Sequence, residues 1–241
     1  MKKTLTLMIT TFVVLNTFSL AYAGPFDFMN QDKKEEKKTD DKKVDLDKLS
    51  LSGKMLIIRV SQATKAFSES ALIMLKALNL KEQSEKINAL LEDLKKSPED
   101  QEKIKKLNSA TNEAIDEINK AKITEKSKLD ISNKELINSF TYTAAGIIID
   151  TKAINDASNL LKECEILVNY VKADPLKYGF SALPTVNSVI SSSKFIAENI
   201  PEQMKGIKTF SDTLVKVLKV KKLSIPSGEE VKKMVESMAK E

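Results

Sequence analysis

Ser191-Ser192-Ser193-Lys194 is the stretch whose residue types and spacing come nearest to nucleophilic catalysis. In an S-x-x-K pattern on a helix, the lysine amine lies one turn from the serine hydroxyl and can activate it. Enzymes with this pattern also carry Ser-Asp-Asn and Lys-Thr-Gly elements. This chain has only Ser211-Asp212-Thr213 and Lys208-Thr209-Phe210 in their place. We therefore predict no catalytic residue here.

The chain has no histidine and one cysteine, Cys164. Histidine is the commonest general base and a frequent zinc ligand, so Ser-His and Cys-His dyads are excluded. Cys164 lies on the apolar face of a predicted helix, where a thiol usually acts as a small buried apolar side chain. We expect a non-enzymatic protein with no cofactor and no metal site.

The first residues have the layout of a cleavable secretory signal. Lys2 and Lys3 precede an apolar run over residues 5–20, and Ala21-Tyr22-Ala23 supplies small residues before Gly24. We expect residues 1–23 to be a signal peptide that directs export to the bacterial periplasm, with secretion outside the cell as the alternative. No cysteine follows the cleavage site, so we expect no lipid anchor.

The charge of the chain is mild and mixed in sign. The formal net charge of +5 falls to +3 when Lys2 and Lys3 are removed, and acidic and basic residues are interleaved. Arg59 is the only arginine, although arginine is the usual residue for forked phosphate recognition. A nucleic-acid-binding surface needs a larger, one-sided positive excess, so we expect no nucleic-acid partner.

Residues 24–50 have the composition of a charged, disordered arm. Residues 32–43 are almost without apolar side chains, and such a segment cannot bury enough surface to offset its ordering entropy. Phe26, Phe28 and Met29 form a small apolar tip at the start of the arm. The arm is either a spacer or a docking peptide that folds on a partner.

From residue 51 onward the apolar residues recur at helical spacing, and no convincing strand alternation appears. The first helical stripe comprises Leu56, Val60, Ala63, Phe67, Ala71, Met74 and Leu78. The helix after Ser97-Pro98 has a heptad-like, coiled-coil stripe, which suits close packing along a neighbour. We expect an all-α, elongated antiparallel bundle of four to six helices in one domain over 51–241.

Caps and breakers predict where the later helices begin and end. Ser97 is expected to cap one helix, and Ser132 with Glu135 to form a capping box for a helix reaching about residue 171. A loop is expected over 178–184, a new helix start at Pro201, and a last helix capped by Ser227 or Gly228.

Two segments are candidate contact sites. The first is apolar on more than one face, and its small residues fit a buried helix middle, an apolar ligand cavity or a membrane-inserting segment. It comprises Ala144, Ala145, Gly146, Ile147, Ile148 and Ile149. The second is a basic row, either a solvated helix face or a contact for anionic lipid, formed by Lys205, Lys208, Lys216 and Lys219.

Three functions fit these patterns. The first is an interaction or scaffold protein of the cell envelope, whose partner is another envelope protein. The second is a carrier of lipid or another apolar ligand, and the third is a membrane-active protein that inserts residues 144–149. The oligomeric state stays open at the sequence level.

Overall fold

The computed structural model describes residues 46–121, 129–173 and 175–240. The described residues form seven helices and no strand, which confirms an all-α helical bundle and exceeds the expected four to six helices. The helices are α1 Leu46–Ala77, α2 Lys81–Lys96, α3 Gln101–Lys120, α4 Asn133–Ala173, α5 Pro175–Met204, α6 Ile207–Val220 and α7 Gly228–Met238. The predicted signal peptide and the tip residues Phe26, Phe28 and Met29 lie outside the described residues.

The chain divides into two compact units. Of the described residues, unit 1 contains those up to Arg59 together with Thr151–Glu198, and unit 2 contains those of Val60–Asp150 and Asn199–Glu241. Helices α1, α4 and α5 contribute residues to both units. The expectation of a single domain over 51–241 stays a prediction.

Unit 1 is built from parts of α1, α4 and α5 around an aliphatic core. Leu56 of α1, Leu161 of α4 and Val189 of α5 are all buried. Gly53 brings the α1 backbone close to Val189, because a methyl group at that position would lie 3.3 Å from a Val189 methyl carbon. An ion pair between Arg59 and Asp156 joins α1 to α4 at the edge of this core.

Unit 2 contains the largest buried side chains, Phe67, Phe140 and Phe210. Helices α2 and α3 run antiparallel in it, and their exposed edges are joined by Lys86 with Glu113 at 2.7 Å and by Lys103 with Asp93 at 2.9 Å. Ion pairs this exposed contribute little stability, so the apolar contacts beneath them hold the helices together. Helix α7 is tied to α1 where the Gln62 side chain donates to the Met238 carbonyl at 3.0 Å.

The capping box predicted at Ser132 is confirmed, and Ser227 is the residue that caps the last helix. The Ser132 backbone N–H donates to Glu135 and the Glu135 N–H donates to the Ser132 hydroxyl, so α4 begins where expected. Ser227 and Glu230 repeat this arrangement at the start of α7. In both cases the serine hydrogen bonds lower the pKa of the glutamate carboxyl below its ordinary value.

The predicted start of α3 at Ser97 was wrong. Asp100 caps α3, because its carboxylate accepts hydrogen bonds from the backbone N–H groups of Glu102 and Lys103 at 3.0 and 3.1 Å. Ser97 is instead the C-cap of α2. A carboxylate at the N-cap also interacts favourably with the helix dipole, which explains why Asp100 displaces Ser97.

The predicted loop over 178–184 and the predicted helix start at Pro201 were also wrong. Both lie inside α5, and the rings of Pro184 and Pro201 are exposed. A proline inside a helix removes one backbone hydrogen bond at a cost of about 3 kcal/mol. Buried neighbours on both sides, such as Ala182 and Val186 around Pro184, favour continuing the helix despite that cost.

The break between α5 and α6 occurs at Gly206, whose φ is +80°. We expect Gly206→Ala to lower the free energy of unfolding by about 1–2 kcal/mol, since an L-residue is strained in this left-handed conformation. The added methyl group would also lie 3.3 Å from a methyl carbon of Ile115. Urea unfolding of Gly206→Ala and Gly206→Asn checks this, because asparagine tolerates the conformation better than alanine. Equal stability of the alanine variant and the wild type would contradict the expectation.

Candidate functional site

The apolar segment over 144–149 lies within α4 in unit 2 and is packed. Ala144 and Ala145 are fully buried, and Ile148 is half-buried. The Phe67 ring of α1 fills the space beside Gly146, where an added methyl carbon would lie 2.6 Å from a ring atom. The small residue at 146 therefore accommodates a neighbouring side chain of the same unit.

Among the described helices, none is both long enough and apolar enough to cross a bilayer. Insertion of residues 144–149 into a membrane stays a prediction.

The basic row is exposed. Lys208, Lys216 and Lys219 project from α6, whereas Lys205 lies in the short link before it. The exposed Asp212 interrupts the row. The charges are therefore available to solvent, and contact with anionic lipid stays a prediction.

The serine–lysine pattern on α5 does not form a nucleophile with its base. The side chains of Ser191 and Lys194 are both exposed, and the Lys194 amine lies 3.7 Å from the Glu198 carboxylate. Ser193 is buried, and its hydroxyl has no hydrogen-bond partner among the described residues. The Lys194 amine is thus engaged with a carboxylate on the outside of the helix.

The Cys164 thiol is buried in the core of unit 1, where the sequence pattern placed it. Burial, with a smaller effect of the Glu163 charge, raises its pKa from 9.0 to about 11. A thiol with so high a pKa is almost wholly protonated near neutral pH and is therefore a poor nucleophile.

The groove between α2 and α3 is lined by charged side chains that pair across it. The Lys86 amine lies 2.7 Å from Glu113, and the Gln83 amide donates to Glu117 at 3.1 Å. Within the described ranges, no three acidic, cysteine or histidine side chains gather as a group that could hold a metal ion.

Hydroxyl groups line the contact between α1 and α4 in unit 2. The Ser70 hydroxyl lies 2.8 Å from the hydroxyls of both Ser139 and Thr143, and all three side chains are buried. Nearby, the Ser68 and Thr111 hydroxyls are 2.7 Å apart. These mutual hydrogen bonds satisfy hydroxyl groups that would otherwise be costly to bury. The serine and threonine side chains are also small, which lets the helices approach closely.

Asp150 continues this polar row but is not satisfied. Its side chain is 1% exposed, and neither carboxyl oxygen has a hydrogen-bond partner among the described residues. Asp150 was not predicted as a site, although the spacing of polar residues along the sequence points to it. Ser139, Thr143 and Asp150 recur at helical spacing on one side of the predicted helix, where apolar residues would be expected.

A second unpredicted feature is an apolar stripe on the outside of α1 in unit 1. Leu51 is 62% exposed and Met55 is 41% exposed, and the half-buried Ile58 continues the row. At about 100° per residue these three side chains lie opposite the face that buries Leu49 and Leu56. Helix α1 therefore has two apolar faces in this unit, of which one packs inside the unit.

No protein-family model matches the sequence, and neither a curated protein nor a solved structure matches the chain. Function is therefore inferred from the side chains of the described helices.

Proposed function

We propose that this chain is an exported, non-enzymatic helical-bundle protein that binds another protein of the cell envelope as an interaction or scaffold protein. The observation that supports the proposal is the exposed stripe of Leu51, Met55 and Ile58 on α1. Exposed apolar side chains are common singly, but a row on one helix face is typical of an interaction surface. The signal-like start of the sequence directs the search for the partner to the envelope.

The partner that best fits this stripe is an amphipathic helix. The i, i+4, i+7 spacing of the stripe is the spacing at which one helix presents anchors to another. Lys54 is exposed beside the stripe, so a partner helix with an acidic residue next to its apolar face is complementary in charge. Fully burying a leucine or methionine side chain contributes about 1.5–3 kcal/mol, and two such anchors are enough to dominate a small interface.

The experiment compares two surface variants of the exported chain. A photo-crosslinking residue in place of the exposed Lys54 captures proteins in contact with the stripe in intact cells, and the captured envelope protein is then purified. We expect Leu51→Ser/Met55→Ser to weaken its binding at least about tenfold in calorimetry. Val220→Ser is the matched control, because Val220 is 71% exposed but lies on α6 in unit 2.

Three outcomes would overturn the proposal. The first is equal binding by the double variant and the control. The second is crosslinking only to a second copy of the chain. The third is that no envelope protein is captured while the chain interacts with lipid. Binding or leakage of anionic vesicles would then support the membrane-active alternative, and co-purified lipid would support the carrier alternative.

A further inference from the structure

We propose that Asp150 is a proton-controlled packing switch in unit 2. While its carboxyl group is neutral, α4 stays packed against α1 in this unit, and ionisation of the carboxyl group loosens that packing. The proposal is independent of any partner at the α1 stripe.

The position of Asp150 follows from the antiparallel register of α1 and α4. The Ser70 hydroxyl lies 2.8 Å from that of Thr143, and Phe67 packs on Gly146 one turn further along. The same register, continued by one more turn, places Asp150 opposite Ala63 of α1. Ala63 is fully buried and has no polar side-chain atom, so it offers the carboxyl group no hydrogen bond.

Gln203 of α5 reaches the same turn of α1 from another side. Its amide donates to the Thr64 hydroxyl at 3.0 Å, and the amide oxygen has no partner among the described residues. A neutral carboxyl group has one O–H donor, which is complementary to such an oxygen, directly or through a water molecule. An ionised carboxyl group has no O–H donor to offer such an oxygen.

Among the described residues, no charged side chain forms a hydrogen bond with the Asp150 carboxyl group. On the neighbouring turns, Lys65 of α1 is half-exposed, Glu202 of α5 is exposed, and Lys152, which follows on α4, is exposed. None of them affects the carboxyl group, and desolvation alone raises its pKa well above the ordinary value. An isolated charge at this position is costly, so opening of the surrounding helix contacts accompanies ionisation.

The sign of the pH dependence follows from this geometry. A carboxyl group with a raised folded-state pKa binds its proton more tightly in the folded state than in the unfolded state. Its stabilising contribution is therefore complete below the ordinary aspartate pKa of about 3.9. The contribution is lost as the pH rises toward the folded-state pKa. Over that range the unfolding equilibrium constant increases by up to about tenfold per pH unit.

Hydrogen exchange tests the switch in the full exported chain. Exchange of the amides of residues 63–70 and 139–150 is compared between the wild type and Asp150→Asn at each pH from about 4.5 to about 7.5, so that intrinsic exchange rates cancel. We expect the wild type to exchange progressively faster than the variant as the pH rises. Asp212→Asn is the matched control, because Asp212 is exposed on α6, and it should follow the wild type.

The proposal would be overturned if the ratio of the exchange rates of the wild type and Asp150→Asn stayed constant with pH. To separate the switch from any other effect of the substitution on folding, the Asp150 carboxyl carbon is also titrated in the wild type by NMR. We expect it to keep the chemical shift of the neutral form well above pH of about 3.9. Titration at that ordinary value would equally overturn the proposal.

Discussion

Replacing Gly146 with alanine is expected to destabilise unit 2 by about 1–3 kcal/mol, the usual cost of overpacking a filled core. The added methyl carbon would lie 2.6 Å from one Phe67 ring atom and 2.8 and 2.9 Å from two others. Phe67 is 1% exposed, so the ring has no room to move aside without displacing its neighbours. The measurement is the free energy of unfolding from urea titration.

The sign of this result is informative because helix propensity acts in the opposite direction. Alanine is favoured over glycine inside a helix by about 1 kcal/mol, so Gly146→Ala would stabilise the protein if the site were open. Combining it with Phe67→Leu should recover part of the loss, with a coupling of about 0.5–3 kcal/mol between the two positions. Additive effects would contradict a direct contact between the alanine and the ring.

Gly53 provides the matched control for Gly146. It also lies inside a helix and is buried, but its added methyl group would lie 3.3 Å from a Val189 methyl carbon, a much longer distance than the 2.6 Å to the Phe67 ring at position 146. A small adjustment of Val189 accommodates that contact, so Gly53→Ala should be close to neutral. If both alanine variants were equally destabilised, loss of glycine itself, rather than the Phe67 ring, would be the cause.

Local chemistry in the sequence predicts much of this fold. The capping box at Ser132 and the cap at Ser227 are confirmed because every atom they need lies within one helical turn. The long helix α4 was likewise expected from its apolar stripe. Where two local signals compete, as Ser97 and Asp100 do at the start of α3, the choice depends on the final backbone and the prediction was wrong.

The errors around the prolines have a different cause. Pro184 and Pro201 are strong local signals for a helix end, but the energy that continues α5 through them comes from burial of side chains on either side. The break after α5 occurs at Gly206, where the sequence pattern did not predict a helix end. Tertiary packing determines at which of these residues the helix ends. The residue pattern along one helix contains no information about the helices that pack against it.

The candidate sites depend even more on contacts that are distant in sequence. Asp150 is exceptional because neither carboxyl oxygen has a hydrogen-bond partner among the described residues, and the pairing of α4 with α1 that determines this joins residues far apart in the chain. The stripe of Leu51 and Met55 is exceptional because nothing in the described structure covers it. Periodicity identifies which residues share a helix face, but only packing shows which face remains outside.

Cys164 is expected to react with a neutral disulfide reagent at least about 100-fold more slowly in the folded protein than in the unfolded chain. Burial raises its pKa from 9.0 to about 11, which lowers the thiolate fraction near pH 8 by about that factor. Burial of the sulfur also blocks approach of the reagent, since the residue is 2% exposed. The measurement is the rate of thiol modification at pH 8, with and without a denaturing concentration of urea.

A cysteine in place of the exposed Lys162, in a Cys164→Ala background, is the matched control on the same helix. It should react in the folded protein about as fast as in the unfolded chain, because its thiol is solvated and its charge surroundings change little. Modification of native Cys164 should accelerate as the pH is raised toward 11, since the thiolate is the reacting species. If native Cys164 reacted as fast as the Lys162→Cys thiol, the core of unit 1 would have to open readily. Its aliphatic packing would then be too loose to keep the apolar stripe of α1 on the outside of the unit.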